Sequence, residues 1–189
     1  MNSKFITDTI SETKYTNLAI ILHWLLAVLL IFQLCLGTFM VDIPKGPDST
    51  RALWFNFHKS IGIVLVFLII LRVIWRLKNP PPKLSVAIPV WQKMISFLNH
   101  LMLYVCMLVM PLTGIIGSLF SKYPIKFFGI PLPRLAPPNE FIKSFTSDLH
   151  QLFAVIFIFL IALHILAAIK HLIMDCDGVF ERMMPKTKP

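Results

Sequence analysis

The sequence predicts an all-α integral membrane protein built as a bundle of four transmembrane helices. Three observations carry that prediction. The 189 residues are 57% hydrophobic and only 14% charged, with a mean hydropathy of +0.76, far oilier than a soluble domain of this size. Long apolar stretches recur four times, each reaching the ~20 residues that a helix needs to cross ~30 Å of hydrocarbon. The four stretches use up most of the chain, so residues 1–189 read as one domain with no room for a separate soluble one.

The first span runs from about Leu18 to Met40. It follows a polar stretch with Lys4, Asp8, Glu12 and Lys14, is longer than a signal-peptide core and has no small-residue cleavage site behind it, so it reads as a retained helix. Asp42 to Thr50, with Pro44, Gly46 and Pro47, forms a short turn into the second span, Leu53 to Leu77. Asn79-Pro80-Pro81-Pro82 stops that helix, because proline has no N–H to give and clashes with the preceding turn. The third span, Trp91 to Phe120, contains Pro111 and Gly114, which predict a kink. Lys122 to Lys143 is the longest connection. Its prolines 124, 131, 133, 137 and 138 alternate with Phe127, Phe128 and Ile130, a mix that suits a segment lying along the membrane interface. The fourth span covers Phe145 to Met174.

Cytoplasmic flanks of membrane helices collect Lys and Arg, which orients the bundle. With the N-terminus inside, the inner side holds eleven basic residues: Lys4, Lys14, Arg72, Arg76, Lys78, Lys83, Lys93, Lys170, Arg182, Lys186 and Lys188. The outer side holds seven: Lys45, Arg51, Lys59, Lys122, Lys126, Arg134 and Lys143. Both termini are therefore expected in the cytoplasm. The net charge of +9 is loop charge of a membrane protein, and without an aromatic-studded basic face it gives no support to a nucleic-acid partner.

Four histidines lie inside the apolar spans, where an unpartnered polar group costs several kcal/mol. His23 is about two turns into span one from the inner end, whereas His58 and His150 are about two turns into spans two and four from the outer end. His164 lies fourteen residues beyond His150, ~21 Å further down the same helix and on nearly the same face. The pairs follow by depth: His58 with His150 outside, His23 with His164 inside. Two pairs at two depths point to two metal centres stacked across the membrane.

Imidazole binds iron, zinc and copper, so ligand type alone does not choose among them. A structural zinc wants four ligands, and each depth offers two rings. Two trans rings are what a haem iron leaves open once the porphyrin fills its equatorial plane. Because no Cys-x-x-Cys-His occurs, the haem would be of b type, held by axial bonds and packing. Cys35, Cys106 and Cys176 have no pairing or ligand spacing and read as buried apolar filler.

Haem brings two propionates that need cations or donors. Arg72 and Arg76, spaced i, i+4, share one face at the inner end of span two and suit propionate or quinone contact, with snorkelling to head groups as the plainer reading. Arg51, Lys59 and Lys143 offer the same outside. His171, two turns past His164, is a candidate for hydrogen bonding a quinone or relaying its proton. His100 reads first as a structural hydrogen-bonding residue, and Trp24, Trp54, Trp75 and Trp91 as belt anchors at span ends.

The chain resembles the bacterial cytochrome b561 family of four-helix dihaem membrane cytochromes, which also includes the cytochrome b subunits of nickel-iron hydrogenases. The resemblance runs through His23-Trp24, His58, Arg72-x-x-x-Arg76-Leu77-Lys78-x-Pro80, Tyr104, Pro111-x-x-Gly114, His150-x13-His164 and the tail Arg182-Met183-Met184-Pro185. It implies a transmembrane cytochrome b type fold in a bacterial inner membrane. It further implies two b haems ligated through iron by His23, His58, His150 and His164, and electron exchange with ubiquinone. The branch it looks most like is the superoxide oxidase type, in which superoxide is oxidised at the outer face and ubiquinone is reduced. Doubly ligated irons suit outer-sphere electron movement, and the outer cations could draw in a small anion, although Asp42, Asp48, Glu140 and Asp148 lie on the same side. A second reading is a non-catalytic electron-carrying subunit docked to a partner dehydrogenase or hydrogenase. A third, a metal-ion transporter, expects mid-membrane carboxylates that the spans lack.

Overall fold

A computed structural model of the chain describes residues 14–82 and 88–185. Lys4, Asp8, Glu12, Lys83, Lys186 and Lys188, which bear on the charge balance, lie outside the described residues. Four helices long and apolar enough to span a membrane make up the bundle: α1 (Asn17–Asp42), α2 (Arg51–Lys78), α3 (Val90–Leu119) and α4 (Glu140–Lys170). Each begins or ends where the local chemistry dictates. Thr16 caps α1, its hydroxyl accepting the Ala19 N–H at 3.3 Å, and Asn139 caps α4 by accepting from Ile142 at 3.1 Å. Asn79 closes α2, its backbone and side-chain N–H groups both donating to the Trp75 carbonyl, and the prolines take over from there. The third helix passes through Pro111 unbroken.

Arg51 has a task that its sequence position did not reveal. Its guanidinium donates to the Met40, Val41 and Ile43 carbonyls at 3.2, 2.7 and 2.5 Å, capping the C-terminus of α1 and tying it to the start of α2. It is therefore engaged as a helix clamp, not held ready for a haem carboxylate. Lys143 likewise pairs with Glu140 at 3.1 Å on the surface. Replacing Arg51 with methionine is expected to cost about 2 kcal/mol, the scale of hydrogen bonds to a charged group. The check is a lowered melting midpoint by circular dichroism in detergent micelles.

Between α3 and α4 a two-stranded hairpin pairs Lys126–Phe127 (β1) with Ile130–Pro131 (β2). Its turn places Phe128 and Gly129 at φ 45° and 93°, the left-handed geometry that two-residue hairpin loops require. Ser60, fully buried on α2, accepts the Phe128 N–H at 2.9 Å and donates to the Asn56 carbonyl at 2.8 Å, anchoring the hairpin to the helix end near His58. At the opposite end, α4 runs into one π-helical turn (His171–Asp175) and then a short 3-10 turn (Phe180–Met183). The tail meets the N-terminal segment there. Tyr15 N–H donates to the Arg182 carbonyl, Trp24 Nε1 to the Met183 carbonyl and Arg182 to the Pro82 carbonyl.

The close helix contacts run α1 on α2, α2 on α3 and α3 on α4. Helix α4 makes no comparable contact with α1 or α2 among the described residues. The bundle is thus two hairpins joined along one side, with a slot between α4 and the α1–α2 pair. A small core of Leu26, Leu36, Ile61, Leu65, Ile69, Cys106, Met107 and Phe157 draws on all four helices, and Phe157 of α4, seven residues from both His150 and His164, bridges the slot midway between them. Phe67 and Phe159 keep 69% and 67% of their surfaces exposed, as residues facing lipid should. Of the three cysteines only Cys106 is buried; Cys35 and Cys176 are exposed, which corrects the reading of all three as filler.

Candidate metal centres

The slot is where the histidines meet. His58 from α2 and His150 from α4 stand with ring centres 6.2 Å apart near the hairpin end, and His23 from α1 and His164 from α4 stand 6.1 Å apart near the terminus end. Two imidazoles on opposite sides of one metal, each bonded at about 2 Å, have ring centres about 6 Å apart. Each pair brings together rings from helices whose backbones make no close contact comparable to that of α3 on α4 among the described residues. Depth pairing read from the sequence is the pairing that the fold brings together.

The outer pair is backed by two glycines. A Cβ at Gly37 would lie 3.3 Å from Cε1 of His58, and one at Gly114 would lie 3.3 Å from Cε1 of His150. Both rings therefore rest directly on neighbouring backbone. Gly114, read from the sequence as part of a kink, also leaves room for a ring. Thr113 fixes the state of His150. Its hydroxyl hydrogen goes to the Val109 or Met110 carbonyl, at 2.8 and 3.0 Å, so its oxygen accepts from His150 Nδ1 at 2.9 Å. That leaves Nε2 with a free lone pair, the state a metal ligand needs. Gln33 Nε2 donates to the His58 carbonyl at 2.7 Å and steadies that turn, while His58 Nδ1 is buried with no hydrogen-bond partner among the described residues. Neither Gln33 nor Thr113 stands out in the sequence, because a lone Gln or Thr in an apolar span carries no periodic signal.

The inner pair is surrounded by cations. Arg72 donates to the Ala19 carbonyl at 3.3 Å and stands 3.2 Å from His23 Nδ1, and Arg76 lies over the Tyr104 ring at 5.2 Å. Arg72, Arg76 and Tyr104 line one cavity, and the Tyr104 hydroxyl is buried without a partner among the described residues. Two guanidiniums and an orphan phenol suit carboxylates. In the sequence, Tyr104 is marked only by the family pattern. Its i, i+4 spacing from His100 is the further clue available there. His100 stands 5.2 Å from the His164 ring. His171 is apart from this group, its Nδ1 held by Asp177 at 2.7 Å and Asp175 at 3.2 Å, and Asp175 also bonded to Lys170.

Paired rings at both depths, glycine-backed at the outer one and beside two guanidiniums and a phenol at the inner one, have the donor chemistry that would hold haem. Comparison with known proteins gives an independent view. Residues 14–186 match the family described as prokaryotic cytochrome b561. The chain is similar to cytochrome b561 homolog 1 of Escherichia coli (strain K12), at 31% identity over 175 residues covering 93% of this chain and 99% of the relative. It is also similar to cytochrome b561 homolog 2 of the same organism, at 28% over 187 residues and 95% of each chain. A probable superoxide oxidase CybB of Yersinia pestis is 27% identical over 179 residues, covering 93% of this chain and 98% of that one.

Proposed function

The chain belongs to the prokaryotic cytochrome b561 family, and from that premise we propose that it is a dihaem b-type cytochrome passing single electrons from periplasmic superoxide to membrane ubiquinone. Membership makes it a multi-pass bacterial membrane protein whose family implies haem b. The observation that carries the finer reading is the two ring pairs, 6.2 and 6.1 Å apart, facing each other across one slot at two depths. When bound, haem would supply a one-electron couple. The orientation proposed places the hairpin end in the periplasm and both termini in the cytoplasm, following the excess of Lys and Arg at the terminus end.

The protein's own groups then divide the work. His58 and His150 would hold the outer haem, and His23 and His164 the inner one. Arg72, Arg76 and Tyr104 would receive the inner carboxylates, supplying two guanidiniums and a phenol hydroxyl as donors. His171, oriented by Asp177 and Asp175, is the group placed at the quinone. Lys59, Lys122 and Lys126 at the hairpin end attract the anionic donor. Neutralising these three lysines together is expected to lower the second-order rate with superoxide about tenfold at low salt, and the wild-type rate should fall as salt rises. A salt-independent rate would remove the electrostatic part of the proposal. The whole reading is tested on one purified sample by a pyridine-haem count, expected to give two per chain, followed by superoxide-driven reduction of ubiquinone. Two haems without turnover would make the protein an electron-carrying subunit of a partner dehydrogenase or hydrogenase.

A further inference from the structure

The two sites differ in what stands beside the α4 ligand. Helices α3 and α4 run antiparallel in close contact, and one register serves both depths: Gly114 faces His150, and fourteen residues earlier on α3 His100 faces His164, fourteen residues later on α4. At the outer level the α3 wall offers a glycine and the Thr113 hydroxyl. At the inner level it offers a third imidazole. His100 and His164 project from adjacent, packed helices, so they lie on the same wall of the slot, with His23 across from them. His100 is thus a neighbour of the inner ligand, not a rival to His23.

The proton positions on His100 are legible from its partner. Its Nδ1 lies 2.6 Å from the Ser96 carbonyl, and a carbonyl only accepts, so Nδ1 carries the hydrogen and Nε2 carries the lone pair. A ligand ring that binds metal through Nε2 has the complementary need, an acceptor for its Nδ1–H. At the outer site Thr113 meets that need for His150 at 2.9 Å. For His164 no side-chain hydrogen bond, to His100 or to any other group, is formed among the described residues. What stands there is His100, with its ring centre 5.2 Å away and its plane at 82° to that of His164. Two imidazoles joined by an N–H···N bond of about 2.9 Å have ring centres about 5 Å apart.

We propose that His100 is the positioning residue of the inner site, accepting the Nδ1 proton of His164 on its own Nε2 and being held in turn by the Ser96 carbonyl. This inference rests on the reading of His164 as a haem ligand. An imidazole acceptor makes His164 a more basic ligand, which favours the oxidised iron, and it fixes the rotation of the ring. The outer site has a hydroxyl in that place, so the two irons are tuned separately.

The test uses full-length, haem-loaded protein and compares His100→Leu with His100→Gln, whose amide oxygen can still accept. Redox titration is read optically, with the electron paramagnetic resonance signals of the two low-spin haems recorded on the same samples. His100→Leu is expected to shift the inner haem's oxidised-to-reduced ratio about tenfold toward reduced, ~59 mV upward for one electron, and to move its resonance signal. His100→Gln should return both toward wild type, and the outer haem should be unchanged throughout. Loss of the inner haem in His100→Leu with retention in His100→Gln supports the same conclusion. An inner potential and signal unaffected by His100→Leu, or equal effects of Leu and Gln, overturns it. Wild-type protein that binds no haem would instead overturn the functional reading beneath it.

Discussion

Replacing His164 with alanine is expected, on the proposed dihaem function, to take the bound haem from two per chain to one. His164 supplies one of the two rings at the inner depth, 6.1 Å from His23, and nothing else on α4 at that level replaces it. A haem iron left with one imidazole there would lose most of its hold on the protein. The outer pair draws on His58 and on His150, ~21 Å away along α4, so it should keep its haem and its low-spin spectrum. His150→Ala should give the mirror result, with the inner haem retained. A pyridine-haem count with the optical spectrum of each variant decides the matter. Loss of both haems in either variant, with the helix signal intact, would mean that the two depths are not independent sites.

Substituting Gly114 with leucine should remove the outer haem without altering any ligand. Even a methyl group at this position would meet His150 Cε1 at 3.3 Å, tighter than ordinary contact, and an isobutyl group has to displace the ring. The ring cannot retreat far, because Thr113 holds its Nδ1 at 2.9 Å on one side and the slot lies on the other. Overpacking of this kind costs about 1–3 kcal/mol in strain alone, and the displaced nitrogen no longer points at the metal. Gly37→Leu should act in the same way through His58, whose Cε1 would also lie 3.3 Å from a Cβ placed there. Gly46 has nothing within 4 Å, so Gly46→Leu is the control that should keep both haems. One haem per chain in Gly114→Leu, retained at the inner site, is the expected count. Two haems with unchanged spectra would show that the glycine backing is incidental.

Both predictions draw on features of different legibility. The four spans were readable because hydrocarbon thickness sets a minimum length for a helix, and the observed helices lie within a few residues of the expected bounds. The depth of each histidine was readable for a similar reason. Rise per residue is constant, so counting from a span's end places a ring along the membrane normal whatever its neighbours are. The Arg72 and Arg76 pair followed from helical spacing alone. Arg51 did not. A basic residue at the start of an apolar span looks the same in sequence whether it meets a carboxylate, a head group or the end of another helix. Only the α1–α2 turn brings it within reach of the three carbonyls it serves.

The amino-acid sequence by itself determined the membrane setting, the number of helices and the two depths at which imidazoles gather, because these follow from quantities local to one helix. Tertiary structure decided which walls the rings stand on, that Gly37 and Gly114 lie behind them, and that His100 rather than a hydroxyl neighbours His164. Those facts depend on how each helix is rotated about its axis and on the register between helices. Both are settled by side-chain packing among residues far apart in the chain, and no periodicity within a single span encodes them.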